Sequence, residues 1–137
     1  MKIKRFDKTI QMPKKGHLPD VGLDIFLPTD IEIAPFETKT IGLRLGVVIP
    51  EGFAGMIIPR SSISEQGLII QTSIIDPDYT GEIHLIATNC SSKTAKFSAG
   101  QRLCSLVMIS VLNPYIEEVE ELPITIRGNK GLGSTGK

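Results

Sequence analysis

Apolar positions along this chain come in short runs, broken every few residues by Gly, Pro, Asp or Asn, and they seldom keep a helical period for three turns. The pattern predicts an all-β domain. Residues 2–6 read as a first strand, and 20–26 as an alternating one with Leu23 and Ile25 on one face and Asp24 on the other. Strands follow at 31–33, 39–49, 53–58, 101–112 and 115–122. Two further apolar runs, 68–75 and 83–87, flank Asp76, Pro77, Asp78, Tyr79, Thr80, Gly81 and Glu82. The Pro, Asp and Gly between them suit turn dihedrals, so the three pieces predict a β-hairpin. One short helix is expected where Ser62 and Glu65 are spaced as a capping box and Gly67 supplies a left-handed stop.

Composition narrows the picture. A chain of 137 residues supports one domain with its own core. Its 15 basic and 15 acidic residues balance, which predicts no nucleic-acid partner and no attraction to an acidic membrane. No apolar run reaches the length of a membrane span, and residues 1–6 lack the apolar core of a secretion signal, so a cytoplasmic protein is expected. Cys90 and Cys104 lack metal-ligand spacing and lie in or beside apolar runs, as buried free thiols do.

The candidate chemistry starts at Asp76, a carboxylate where an apolar strand meets a turn, with the Tyr79 ring three residues on. Taken alone, this is a turn cap with an aromatic cover; in a site, it is an acid able to activate water beside a ring able to lie on a sugar face. Arg60, Ser61 and Ser62 open the predicted helix with groups suited to phosphate oxygens. Asp24 alone reads as a surface carboxylate, and His17 as a solvated loop residue. The last residues, 127–137, are basic and Gly-rich, a flexible arm whose Arg127, Ser134, Thr135 and unhindered N–H groups suit a polyphosphate.

In order, Val21-Gly22-Leu23-Asp24-Ile25, Pro59-Arg60-Ser61-Ser62, residues 74–83, Gly100-Gln101-Arg102-Leu103 and the segment from Arg127 to Gly136 resemble the five motifs of the trimeric dUTPase (dUTP nucleotidohydrolase) family. The resemblance implies a jelly-roll-like distorted β-barrel over residues 1–126, an arm at 127–137 that closes over the nucleotide, and a homotrimer whose subunits share active sites. It implies hydrolysis of dUTP to dUMP and pyrophosphate with Mg2+ on the triphosphate. Residue by residue, Asp76 is the expected general base and Tyr79 the ring against the deoxyribose. Backbone at Ser73, Ile74 and Ile75, with His84, is expected to read the uracil edge. Arg60, Ser61 and Ser62 are expected on phosphate oxygens, Gln101 among the substrate-binding residues, and Asp24 near the metal through water. Arg127, Leu132, Gly133, Ser134 and Thr135 are the arm's expected contacts.

Three positions depart from the family pattern. Ser62 stands where glycine is frequent, Ser105 where a glutamine is common, and Leu132 where a phenylalanine stacks over uracil. Loss of that stacking predicts weaker closure, by about 1 kcal/mol. The alternatives are a dUTP-binding regulatory module of the same fold, or an enzyme like dCTP deaminase, whose catalytic glutamate would fall at Ile86.

Overall fold

Strand pairing is antiparallel throughout the computed structural model, which describes residues 1–130. In chain order the strands are β1 (Lys2–Arg5), β2 (Leu23–Phe26), β3 (Ile31–Ile33), β4 (Thr38–Gly42), β5 (Leu45–Val48) and β6 (Phe53–Pro59). A single helical turn, α1 (Ser61–Ser64), precedes β7 (Leu68–Ile70), β8 (Ser73–Ile75), β9 (His84–Asn89), β10 (Ala95–Phe97) and β11 (Arg102–Ser110). They form a four-stranded sheet, β2-β11-β6-β8, a three-stranded sheet, β4-β9-β7, and the pairs β1-β5 and β3-β10. The expected all-β, jelly-roll-like fold is present, and among the described residues its sheets do not close into a complete barrel.

Period-two burial drives the assembly. Along β9, Leu85, Ala87 and Asn89 are buried while His84 and Ile86 face out. Leu85 and Ala87 meet Ile57 of β6 and Leu106 of β11 in one apolar cluster that joins the two larger sheets. Each fully buried Leu or Ile there contributes about 1.5–3 kcal/mol.

Several sequence expectations are corrected. The predicted hairpin does not zip: β8 pairs with β6, whereas β9 pairs with β4 and β7. Residues 76–83 are too many for a tight turn, and Ile75 and Leu85 approach one core from different sheets. The run 68–75 divides into β7 and β8, one in each sheet, and 39–49 divides at Arg44, whose φ of 54° turns the chain. No strand forms over 115–122; Tyr115 and Ile116 are 92% and 88% exposed, and no sheet edge of the described chain pairs with them. The capping box is absent as well. Arg60 is the N-cap, in extended conformation, and no side chain caps the turn. Gly67 does take a left-handed φ of 80°. Cys104 is buried as expected, but Cys90 is exposed.

Candidate functional site

The unzipped turn opens a cleft. Ser73, Ile74, Ile75, Asp76, Tyr79 and His84 line a space of about 280 Å³ over an apolar floor that includes Ile57 and Ile86. β8 is the edge strand of its sheet, so one side of its backbone has no strand neighbour among the described residues. The pairing of β9 with β7 begins only at Ala87, which leaves the same side of His84 outside that ladder. Main-chain groups thus border the cleft from both walls. Asp76 is exposed at its rim, and its carbonyl accepts the Tyr79 N–H at 3.2 Å to close the turn. The Tyr79 hydroxyl donates to the Glu82 carbonyl at 2.6 Å, which pins the ring. The ring lies so close to Gly81 that a Cβ there would come within 2.8 Å of its oxygen.

A second cluster gathers on β2, β11 and the junction of β6 with α1. Asp24 is 5% exposed rather than a surface residue, and its carboxylate accepts hydrogen bonds from Arg60, from Ser105 at 3.0 Å and from Arg102 at 2.8 Å. The β11–β2 register sets Ser105 opposite Asp24. Burial opposes ionisation of Asp24, and the bonds from Arg60, Ser105 and Arg102 outweigh it, so the carboxyl lies below the usual carboxylate range. Burial, with Asp24 nearby, pushes the neighbouring Cys104 thiol up to about 12. Beside this cluster, Arg60, Ser62, Gln101 and Arg102 line a polar depression of about 430 Å³ with Lys96 and Gln66. Such a lining of cations, hydroxyls and amides suits an anion.

The expected residues therefore fall into two groups in one chain. Those expected on the nucleoside share the first cleft; Arg60, Ser62 and Gln101 share the depression, and Ser61, exposed, begins α1 next to them. Arg127 joins neither lining: it is exposed, and its Nε donates to the Lys130 carbonyl at 3.0 Å. Leu132, Gly133, Ser134 and Thr135 lie outside the described residues. Sequence reasoning missed the roles of Arg102, Ser105 and Glu82. Arg102 carried a usable signal, a charge interrupting an otherwise apolar strand.

A sequence model described as dUTPase matches residues 8–136. The chain is 39% identical over 141 residues to the deoxyuridine 5'-triphosphate nucleotidohydrolase of Corynebacterium glutamicum, covering all of this chain and 95% of that protein. It is 37% identical over 117 residues to the Pol polyprotein of equine infectious anemia virus, covering 85% of this chain and 10% of the polyprotein. Among solved structures, the dUTPase of Staphylococcus bacteriophage 80alpha with dUPNHPP superposes with a TM-score of 0.93 at 27% identity, covering 99% of this chain and 98% of that one. A phage phi11 dUTPase structure concerned with coordination of a structural Mg(II) ion gives 0.82 at 25% identity, covering 88% of this chain and 96% of that one.

Proposed function

The chain belongs to the dUTPase family, and from that premise we propose how its residues carry out the reaction. It is a dUTP diphosphatase: dUTP and water give dUMP and pyrophosphate. The observation that carries the reading is the single cleft shared by Ser73–Ile75, Asp76, Tyr79 and His84.

In this account uracil enters the gap between β8 and the start of β9, where main-chain donors and acceptors meet its edge. Cytosine presents the opposite donor–acceptor order at one ring position and would leave buried groups unpaired. The pinned Tyr79 ring lies on the deoxyribose and takes the space a 2′-hydroxyl would need. Asp76 holds a water in line with the α-phosphorus and takes its proton as the oxygen attacks. The bond to the bridging α–β oxygen breaks, and pyrophosphate departs. Arg60, Ser61, Ser62 and Gln101 stabilise the phosphate oxygens on which charge grows. The arm at 127–137, with Arg127, Leu132, Gly133, Ser134 and Thr135, closes over the nucleotide. A deaminase reading is disfavoured by Ile86, an apolar side chain where that family's glutamate would stand.

Among the described residues no group of three His, Cys, Asp or Glu side chains gathers to hold a cation. The residues present fit a metal carried by substrate phosphates: Asp24, with both carboxylate oxygens engaged by Arg60, Arg102 and Ser105, would reach it only through water. Bound Mg2+ would supply neutralisation of the triphosphate charge.

The separation of the two residue groups favours sites completed between copies of the chain, in a homotrimer. Leu112, Tyr115, Ile116, Leu122, Ile124 and Ile126 are each at least 82% exposed, an apolar strip suited to a neighbouring subunit. No helix of the described residues is long and apolar enough to cross a membrane, and a cytoplasmic location accords with the reaction. The test is pyrophosphate release from dUTP, dCTP, dTTP and UTP in oxygen-18 water. Selective turnover of dUTP with the label in dUMP is expected; label in pyrophosphate would place the attack elsewhere and overturn the mechanism.

A further inference from the structure

We propose that Glu82 is a positioning residue for nucleoside selection, holding Tyr79 and His84 in the geometry that admits deoxyuridine; this rests on the cleft of Asp76 being the nucleoside site. The Glu82 carbonyl accepts two side chains at once, the Tyr79 hydroxyl at 2.6 Å and His84 Nδ1 at 2.9 Å. Both are cleft residues, and both hang on one acceptor.

A carbonyl only accepts, so the hydrogen of the neutral imidazole sits on Nδ1. That leaves Nε2 as an acceptor on the side chain that lines the cleft. Uracil carries a donor at N3, whereas cytosine carries an acceptor there. The fixed tautomer thus favours uracil, and the fixed hydroxyl of Tyr79 keeps the ring where a ribose would collide.

Glu82 is itself anchored. Its carboxylate accepts the backbone N–H of Arg44 at 2.8 Å, at the left-handed turn between β4 and β5. Arg44 is in turn tied to Asp7 at 2.7 Å, and Thr9 together with Arg44 holds the Asp7 carboxyl down to about 2. Gly42 leaves the room: a Cβ there would lie 2.5 Å from the Glu82 carboxylate oxygen. The chain of contacts runs from a charged anchor, through Glu82, to the two groups that touch the nucleoside. Of Asp76 only the main-chain carbonyl meets this chain of contacts, accepting the Tyr79 N–H at 3.2 Å; its carboxylate is not among them, which separates selection from the chemical step.

The experiment compares Glu82→Ala and Glu82→Gln with wild type on dUTP, UTP and dCTP, and reads the His84 tautomer by nitrogen-15 NMR. In Glu82→Ala the preference in kcat/KM for dUTP over UTP and dCTP should fall about tenfold, mainly through KM, with kcat on dUTP within about threefold of wild type. Glu82→Gln, whose amide oxygen still accepts from Arg44, should restore the preference. If Glu82→Ala fails to fold, Gly42→Ala displaces the same carboxylate and should give the same loss. Equal losses on all three nucleotides, or no rescue by Gln, overturns the proposal. A wild-type protein that turns over no dUTP would instead defeat the hydrolase reading. The NMR arm still decides the anchor in that case: the Nδ1–H form in wild type, mixed in Glu82→Ala, supports it, and an Nε2–H form in wild type refutes it.

Discussion

Replacing Asp24 with Asn tests how the cluster of Asp24, Arg60, Arg102 and Ser105 is held. The substitution keeps the shape of the side chain and removes its charge. Asp24 accepts three side-chain hydrogen bonds, two of them from guanidinium groups. Bonds to charged groups contribute about 1.5–3 kcal/mol each. The Arg60 and Arg102 side chains are 31% and 41% exposed, so water recovers part of what each loses. The amide oxygen also keeps one acceptor. A net loss of about 2–3 kcal/mol is expected, or roughly 10 °C in Tm for a chain of this size. The pH dependence gives the sign. Because the folded Asp24 carboxyl lies below its unfolded value, its stabilisation is present above about pH 4 and is lost as pH falls through the folded pKa. The gap between wild type and Asp24→Asn should therefore be full at pH 7 and shrink in acid. Asp7, also held low, titrates alike in both proteins and cancels. Urea denaturation at matched protein concentration measures the gap. A difference below about 0.5 kcal/mol at pH 7, or one that does not change with pH, would refute the ionised anchor.

Gly81→Ala should push the Tyr79 ring off the Glu82 carbonyl, because the new Cβ would meet Tyr79 Oη at 2.8 Å and Cζ at 2.9 Å. The preference for dUTP over UTP should then fall about tenfold, and steady-state kinetics with the two nucleotides would check it. Asn89→Leu should cost about 2–4 kcal/mol by urea denaturation, since the buried amide donates to the Ile33, Ala34 and Lys93 carbonyls and accepts from Ser91. In the native protein an alkylating reagent at neutral pH should label Cys90 and spare Cys104, whose thiol is buried and pushed up to about 12. Mass spectrometry reads the labelled position directly.

The alternation of Ile, Val and Leu with polar residues was enough to find most strands, because period-two burial is local and survives in the sequence. Pairing was not local. The run from Leu68 to Ile75 reads as one strand, yet Gln71 and Thr72 hand the chain from one sheet to the other. Arg44 hides its turn because a left-handed φ at a non-glycine residue leaves no compositional mark. Tyr115–Leu122 alternates as a strand should, but alternation cannot supply the neighbouring edge that a strand needs. In the site, Asp76, Tyr79 and the Ser73–Ile75 backbone were legible because they are contiguous and sit at a turn. Asp24 was misread as a surface group because its partners, Arg60, Arg102 and Ser105, are distant in sequence and meet it only through the β2-β11-β6 register. Glu82 escaped notice since its main-chain oxygen takes Tyr79 and His84, and its carboxylate takes the N–H of Arg44, far away in sequence.

Asp76 is proposed to activate water in a cleft that binds dUTP without its help. Wild type and Asp76→Asn should be compared for binding of a non-hydrolysable dUTP analogue and for pyrophosphate release from dUTP with Mg2+. Near-equal affinity is expected, with kcat lowered in the variant by about 10²–10⁴-fold. Turnover within a few-fold of wild type in Asp76→Asn would contradict it.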